Sequence, residues 1–272
     1  MVIKLTFDLE IYPPSLSYSF LVDEQGEIIE SISEDMRMRN IRATFFCTGQ
    51  YLKEFSSIIR KLSLHGNEIA NHTMNHLSFR KTTKEEFLKN IIDCDKILRE
   101  SFSINPIGFR SPGGNAPDDL IQFLVSLGYK YDSSACRTYI PGWYEGGFIP
   151  SFPYQPDINN YRRKSARSAQ FVEIPIGTFP FLPIPFGGVF LSSLPFLSEK
   201  TLFEMCNDDK IHVAYIHPID LLEIPENHGY IWDRYRNNER VRKIIKFILK
   251  SNESSDMRLQ SVWQSMQRDS LG

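Results

Sequence analysis

Apolar positions along the chain fall into short continuous runs and longer periodic stretches, and the two kinds alternate. Residues 2–8 form an apolar, β-prone run ending in acids, which reads as a buried first strand. Residues 42–48 (Arg-Ala-Thr-Phe-Phe-Cys-Thr) repeat the pattern and stop at Gly49. A helical stripe follows, with Tyr51, Leu52, Phe55, Ile58, Ile59 and Leu62 on one face and Gly66 where a helix end favours a left-handed residue. Glu68-Ile69-Ala70 is a further apolar step, leading into Asn71-His72-Thr73-Met74-Asn75-His76. Thr83-Lys84-Glu85-Glu86 has the form of a capping box ahead of a helix carrying Phe87, Leu88, Ile91, Ile92 and Leu98. Residues 107–110, 129–132 and 212–217 read as strands; 118–127 (closed by Gly128) and 239–250 read as amphipathic helices.

Strands alternating with helices of about ten residues or more predict a parallel sheet, closed into an α/β barrel. Polar residues recur at the C-terminal ends of the strands: Asp8 and Glu10, His72 and His76, Arg110, Asp132, His217. That end is where such barrels carry their chemistry. A length of 272 residues suits a single barrel domain. Residues 137–170 interrupt the alternation as a long inserted loop rich in Pro, Gly and aromatics, with Arg162, Arg163, Lys164 and Arg167. Residues 174–191 are apolar enough to raise the question of a membrane span. Pro175, Pro180, Pro183 and Pro185 make a helix there untenable, so short buried strands and turns are expected and no transmembrane segment.

Composition narrows the function more than the fold. A net charge of −2 gives the molecule no electrostatic reason to bind nucleic acid. Cys47, Cys94, Cys136 and Cys206 are too scattered for a zinc ribbon or a redox pair and suit a reducing compartment. The first residues lack the features of a secretory signal, so the cytoplasm is the expected location.

The chemistry starts with His72 and His76, four apart. Two imidazoles and a carboxylate make a three-ligand set for a catalytic zinc or similar ion. Such an ion acidifies water and polarises a carbonyl. Taken alone such a pair is more often two surface histidines in a polar turn. Asp8 and Glu10 supply carboxylates at another strand end, and residues i and i+2 of a strand face the same side. His217, followed by Pro218, can protonate a leaving amine near neutral pH. Arg110 at a buried edge needs a carboxylate partner, for which Asp8 or Asp132 would serve.

Five landmarks in order give the chain a resemblance to the polysaccharide deacetylases, the NodB-homology or carbohydrate esterase family 4 group. Thr6-Phe7-Asp8-Leu9-Glu10 resembles the acidic first motif and His72-Thr73-Met74-Asn75-His76 the H-(S/T)-x-x-H motif. Arg110-Ser111-Pro112 resembles R-x-P, Tyr131-Asp132-Ser133-Ser134 the fourth motif, and Ile216-His217-Pro218 the fifth. Asp8-Leu9-Glu10 departs from the paired aspartates of many members and is closest to the D-x-E form of members linked to exopolysaccharide biosynthesis. The resemblance covers residues 3–220. It implies a distorted (β/α) barrel of about seven parallel strands and one divalent ion, with zinc the expected identity. It also implies a first-motif acid as base, His217 as acid, Arg110 orienting the base with support from Asp132, and the Gly113 amide holding the oxyanion.

The expected reaction is metal-assisted removal of an N-acyl group, acetyl first, from an amino sugar in a polysaccharide or glycan precursor. Asp8 is taken as base and Glu10, His72 and His76 as ligands, with the reverse assignment of the two acids open. A precursor that is phosphate-bearing or lipid-linked fits a cytoplasmic enzyme, and the basic loop residues would contact its phosphate. Alternatives are a deformylase, a small-molecule amidohydrolase on the same fold, or a non-catalytic sugar-binding homologue.

Overall fold

The computed structural model describes residues 2–11, 19–140, 144–147, 149–165, 171–179, 184–194, 198–206, 208, 210–223 and 238–269. In chain order the main elements are β1 (Val2–Leu9), α1 (Ser19–Met38), β2 (Thr44–Cys47), α2 (Gly49–Glu54), α3 (Ser56–Leu64) and β3 (Glu68–Asn71). Then come α4 (Lys84–Lys96), β4 (Gly108–Phe109), α5 (Leu120–Ser126) and β5 (Tyr131–Asp132). Two small hairpins follow, β6 (Tyr139–Ile140) with β7 (Tyr144–Glu145) and β8 (Pro156–Asp157) with β9 (Asn160–Lys164). The remainder is β10 (Val172–Glu173), α6 (Gly188–Ser193), α7 (Glu199–Met205), β11 (Ile211–Ile216), α8 (Asn238–Ser251) and α9 (Leu259–Asp269).

Seven strands make one parallel sheet in the order β10-β5-β4-β3-β2-β1-β11. Its edges are drawn together by backbone bonds: Gly177 N–H donates to Val213 (2.8 Å) and Tyr215 N–H to Phe186 (2.9 Å). The curled sheet with outer helices is the distorted (β/α) barrel expected.

Strand alternation separates outside from inside. Ile3, Leu5, Phe7 and Leu9 face outward into a core shared with Ile29 and Met36 of α1 and Ile244 and Ile248 of α8. The intervening Lys4, Thr6 and Asp8 point the other way, so β1 lines the barrel interior with polar groups from floor to mouth. Phe46, Ala70, Tyr131, Val172 and Val213 pack inside the barrel against Leu259 and Val262 of α9, which plugs the floor. The plug is pinned by capping bonds at its N-terminus. Leu259 N–H donates to Thr44 Oγ1 (2.8 Å) and Gln260 N–H to Glu68 Oε2 (3.0 Å).

Several details differ from the sequence pattern. The stripe from Tyr51 to Leu62 is two helices, because Phe55 leaves helical geometry (φ −110°, ψ 41°). The 20-residue α1 has no clean apolar stripe, since buried Gln25 and Ser33 share its inward face with Ile29 and Met36. The described part of 137–170 is largely the two hairpins. The described part of 174–191 buries Ile174, Ile176, Phe179 and Phe186 in short bridged segments before α6. Among the described residues no helix is long and apolar enough to cross a membrane, and the four cysteines are buried free thiols.

Candidate active site and metal centre

The mouth of the barrel gathers side chains from four strand ends. Just beyond β1, Glu10 puts Oε2 2.5 Å from His76 Nε2 and Oε1 3.7 Å from His217 Nε2. Donor atoms of Glu10, His72 and His76 lie within 4.8 Å of one another.

The loop carrying the two histidines is held in an unusual backbone state. Thr73 (φ 67°) and His76 (φ 51°) both occupy the left-handed region. For β-branched Thr73 this strain is on the order of 1–3 kcal/mol, offset by its surroundings. Asn71 Oδ1 accepts from Thr73 N–H (2.8 Å), while Asn71 Nδ2 donates to Tyr129 Oη (2.8 Å) and to the Ile91 carbonyl (3.0 Å). The N-terminus of α2 grips the same loop, Gly49 N–H donating to Thr73 O and Gln50 N–H to Met74 O, both 3.0 Å.

His72 Nδ1 lies 2.7 Å from the carbonyl of Arg110, which fixes the ring and turns Nε2 towards the site. Burial lowers the His72 pKa to about 4, so the imidazole is neutral at physiological pH. Burial would raise Glu10, but His76 first, then His217 and His72, outweigh it and hold the carboxyl down to about 2. A neutral imidazole, a second imidazole and an anionic carboxylate fit a divalent ion.

Asp8 belongs to a different group. Its Oδ1 accepts from Arg110 Nη1 at 2.6 Å, and both side chains are almost wholly enclosed. Arg110 also donates to Thr6 Oγ1 (2.9 Å), Ser133 O (3.0 Å) and Ser133 Oγ (2.9 Å), and its guanidinium lies 4.1 Å above the Phe46 ring. Of the two acids expected to serve Arg110, Asp8 bonds it directly, and none of these four bonds goes to Asp132. Asp132 instead accepts from Ser134 Oγ (2.6 Å) and sits opposite Glu173 on the neighbouring strand.

Gly113 lies on the turn after Arg110 with φ 63°, and the Gly114 N–H closes that turn onto Ser111 O at 3.0 Å. Tyr161 of β9 donates to Gly114 O (3.2 Å), so a hairpin of the insertion braces the glycine turn.

His217 ends β11. Asp220 Oδ2 accepts from the His217 backbone N–H (2.8 Å) and lies 3.1 Å from its Nδ1. Burial opposes charge on this ring, but the bond to Asp220 and the charges of Asp220, Glu10 and Asp8 prevail and raise it to about 9. Asp220 sits against Gly188, where a Cβ would fall 2.1 Å from Asp220 Oδ2, so only glycine fits there. Sequence reasoning missed Asp220, Asn71 and Tyr161. For Asp220 a signal existed, an acid three residues after the histidine across a proline turn.

The basic loop is less available than its composition suggests. Arg162 pairs with Asp118 (2.8 Å) and stacks over Tyr161, while Arg163 and Lys164 are exposed. Arg167 lies outside the described residues.

Comparison with known proteins bears on family and fold. A family model described as polysaccharide deacetylase matches residues 2–131. A peptidoglycan-N-acetylglucosamine deacetylase of Bacillus cereus is 28% identical over 137 residues, 50% of this chain and 61% of that protein. A chitooligosaccharide deacetylase of Sinorhizobium fredii is 27% identical over 105 residues, 38% of this chain and 46% of that one. The chain thus spans less than two thirds of the length of these relatives. A crystal structure from Mycobacterium smegmatis assigned to the polysaccharide deacetylases superposes with TM-score 0.69 at 16% identity, over 99% of this chain and 91% of that one. It shares the fold. Residues 2–131, which carry the first strand's acids, the histidine loop and Arg110, belong to the polysaccharide deacetylase family.

Proposed function

We propose that the protein is a metal-dependent N-deacetylase acting on an acylated amino sugar of a glycan. The carrying observation is the division of labour around β1: Glu10 joins the two loop histidines, while Asp8, two residues earlier, joins Arg110. Relatives named as deacetylases of peptidoglycan and of chitooligosaccharide support an N-acetylated sugar as substrate. A divalent ion held by Glu10, His72 and His76, zinc by its donor set, would acidify water and polarise the acyl carbonyl.

The residues of the chain do the rest. Arg110 fixes Asp8 by one carboxylate oxygen, and the other takes a proton from the attacking water. The water oxygen bonds to the acyl carbon. The Gly113 N–H stabilises the charge on the carbonyl oxygen. His217, protonated at neutral pH and oriented by Asp220, gives its proton to the sugar nitrogen as the C–N bond breaks. Products are acetate and the free amine.

Acetate release from N-acetylated chitooligosaccharides and from peptidoglycan fragments tests the reading, with purified protein after chelation and after zinc is returned. Release that disappears on chelation and returns with zinc is expected. Metal-replete protein that binds these sugars but releases no acyl group from acetylated or formylated forms overturns the enzyme in favour of a sugar-binding module.

A further inference from the structure

Two acids that the proposed reaction does not use face each other at the ends of β5 and β10. Asp132 of β5 and Glu173 of β10 are direct partners across two parallel strands, and neither has any solvent exposure. One oxygen of each is satisfied: Asp132 Oδ1 by the Ser134 hydroxyl (2.6 Å) and Glu173 Oε1 by the Ala135 N–H (2.8 Å). The other two, Asp132 Oδ2 and Glu173 Oε2, are buried with no donor among the described residues. Two carboxylates cannot both stay ionised in such a place, because no water screens them and two acceptors cannot bond each other. One proton between the orphaned oxygens satisfies both.

The pair is wired to the active-site turn. Ser134 Oγ, spending its hydrogen on Asp132, accepts from Ser111 N–H at 2.8 Å. Ser111 follows Arg110 directly and begins the turn that carries Gly113. The charged and titratable groups around the pair are Arg110, whose own bonds go to Thr6, Asp8 and Ser133, and the phenols of Tyr154 and Tyr161. Burial, opposed by weaker hydrogen bonds, raises Asp132 to about 6, and burial together with Asp132 raises Glu173 well above the usual carboxylate range. At neutral pH the pair therefore keeps a proton.

We propose that Glu173 is a positioning residue: its proton bridges Oε2 to Asp132 Oδ2, and the bridge holds the Arg110–Gly113 segment in place through Ser134 and the Ser111 amide. The inference rests on the deacetylase reading for its kinetic consequences, but the bridge itself is testable by stability alone.

The test is a set of amide replacements. In Glu173→Gln the Gln Oε1 still accepts from Ala135 and its NH2 donates to Asp132. In Asp132→Asn the Asn Oδ1 still accepts from Ser134 and its NH2 donates to Glu173. Each single amide supplies the bridging hydrogen, so each should stay folded with kcat within a few-fold of wild type. The double variant sets two NH2 groups against each other and should lose on the order of tenfold in kcat beyond the product of the singles, with KM little changed. It should also show a lower melting temperature than either single variant.

Thermal unfolding across pH gives a readout independent of turnover. Both folded pKa values are raised, so the stabilisation is complete in acid and declines as pH rises through them. Glu173→Gln should flatten the alkaline part of that decline. A double variant as stable and active as the singles, or singles as damaged as the double, overturns the bridge. So does a Glu173→Gln melting curve that follows the wild-type pH profile. If wild-type protein releases no acyl group yet the stability pattern appears, the deacetylase reading fails and the bridge stands.

Discussion

The two ends of the barrel each enclose a glutamate, and the two are treated in opposite ways. At the mouth, Glu10 faces three histidines and is held down to about 2. At the floor, Glu68 accepts from neutral donors, Thr44 Oγ1 (2.7 Å), Tyr131 Oη (2.9 Å) and the Gln260 amide (3.0 Å), with the Arg258 charge a lesser influence. Burial dominates there and raises its pKa despite these bonds. A buried carboxylate ringed by histidines stays an anion fit to hold a cation, whereas one served by hydroxyls and amides is a structural acceptor. The mouth also carries left-handed Thr73 and His76, while the floor is sealed by ordinary helix capping.

The sharpest way to break this contrast is at the mouth. His72→Ala removes a ligand and should abolish stoichiometric zinc binding, with acetate release falling by at least about a thousandfold. Metal analysis and kcat measured together check this. Asp8→Asn should keep the ion but lower kcat by roughly 10²–10⁴-fold, the usual contribution of a general base. Glu10→Gln should weaken metal first. Loss of the ion in Asp8→Asn and its retention in Glu10→Gln would reverse the two roles.

A smaller effect should follow at Asp220. Asp220→Asn removes the main support for charge on His217, so its pKa falls from about 9 towards the ordinary histidine value. A general acid works only while protonated, so kcat declines as pH rises through this pKa. The alkaline limb of the pH–kcat profile should move to lower pH, with a loss on the order of tenfold at pH 8. Gly188→Ala, which crowds Asp220, should shift the limb in the same direction by less. An unmoved limb in both variants would detach Asp220 from the acid's charge.

The smallest effect belongs to the floor. Glu68→Gln should leave kcat unchanged and cost about 1 kcal/mol or less, since neutral donors are served about as well by an amide. Because the folded pKa of Glu68 is raised, its stabilisation is complete in acid and declines as pH rises through that value. Glu68→Gln should reduce that slope in chemical denaturation, and a large activity loss would show that the two ends are coupled.

The legibility of these parts in the sequence follows the same division. Residues 2–8 read as a buried strand from their apolar, β-prone run, whereas its division into an outward face of Ile3, Leu5, Phe7 and Leu9 and an inward face of Lys4, Thr6 and Asp8 comes from the structure. His72, His76 and Arg110 were readable because metal and ion-pair chemistry restrict residue type and spacing. The destination of Asp132 was not, since choosing between Arg110 and Glu173 requires knowing that β10 lies beside β5. The helix α1 escaped notice because Gln25 and Ser33 are buried on its inner face. The α9 stripe of Leu259, Val262, Trp263 and Met266 went unread because it is short, and nothing local says that it closes a barrel.

That closure bears on the order in which the molecule assembles. The first strand pairs with β2 on one side and with β11, some two hundred residues later, on the other. The floor is sealed by a helix made after every strand among the described residues. Synthesis of the N-terminal half therefore produces the histidine loop and the acids of the mouth while one edge of β1 is unpaired and the barrel's lower opening admits water. Folding dominated by such distant pairings is slow. A ribosome-bound intermediate would expose Phe46, Ala70 and Tyr131 until Leu259 and Val262 arrive, and it is this stage of the protein's life at which chaperone capture is most expected.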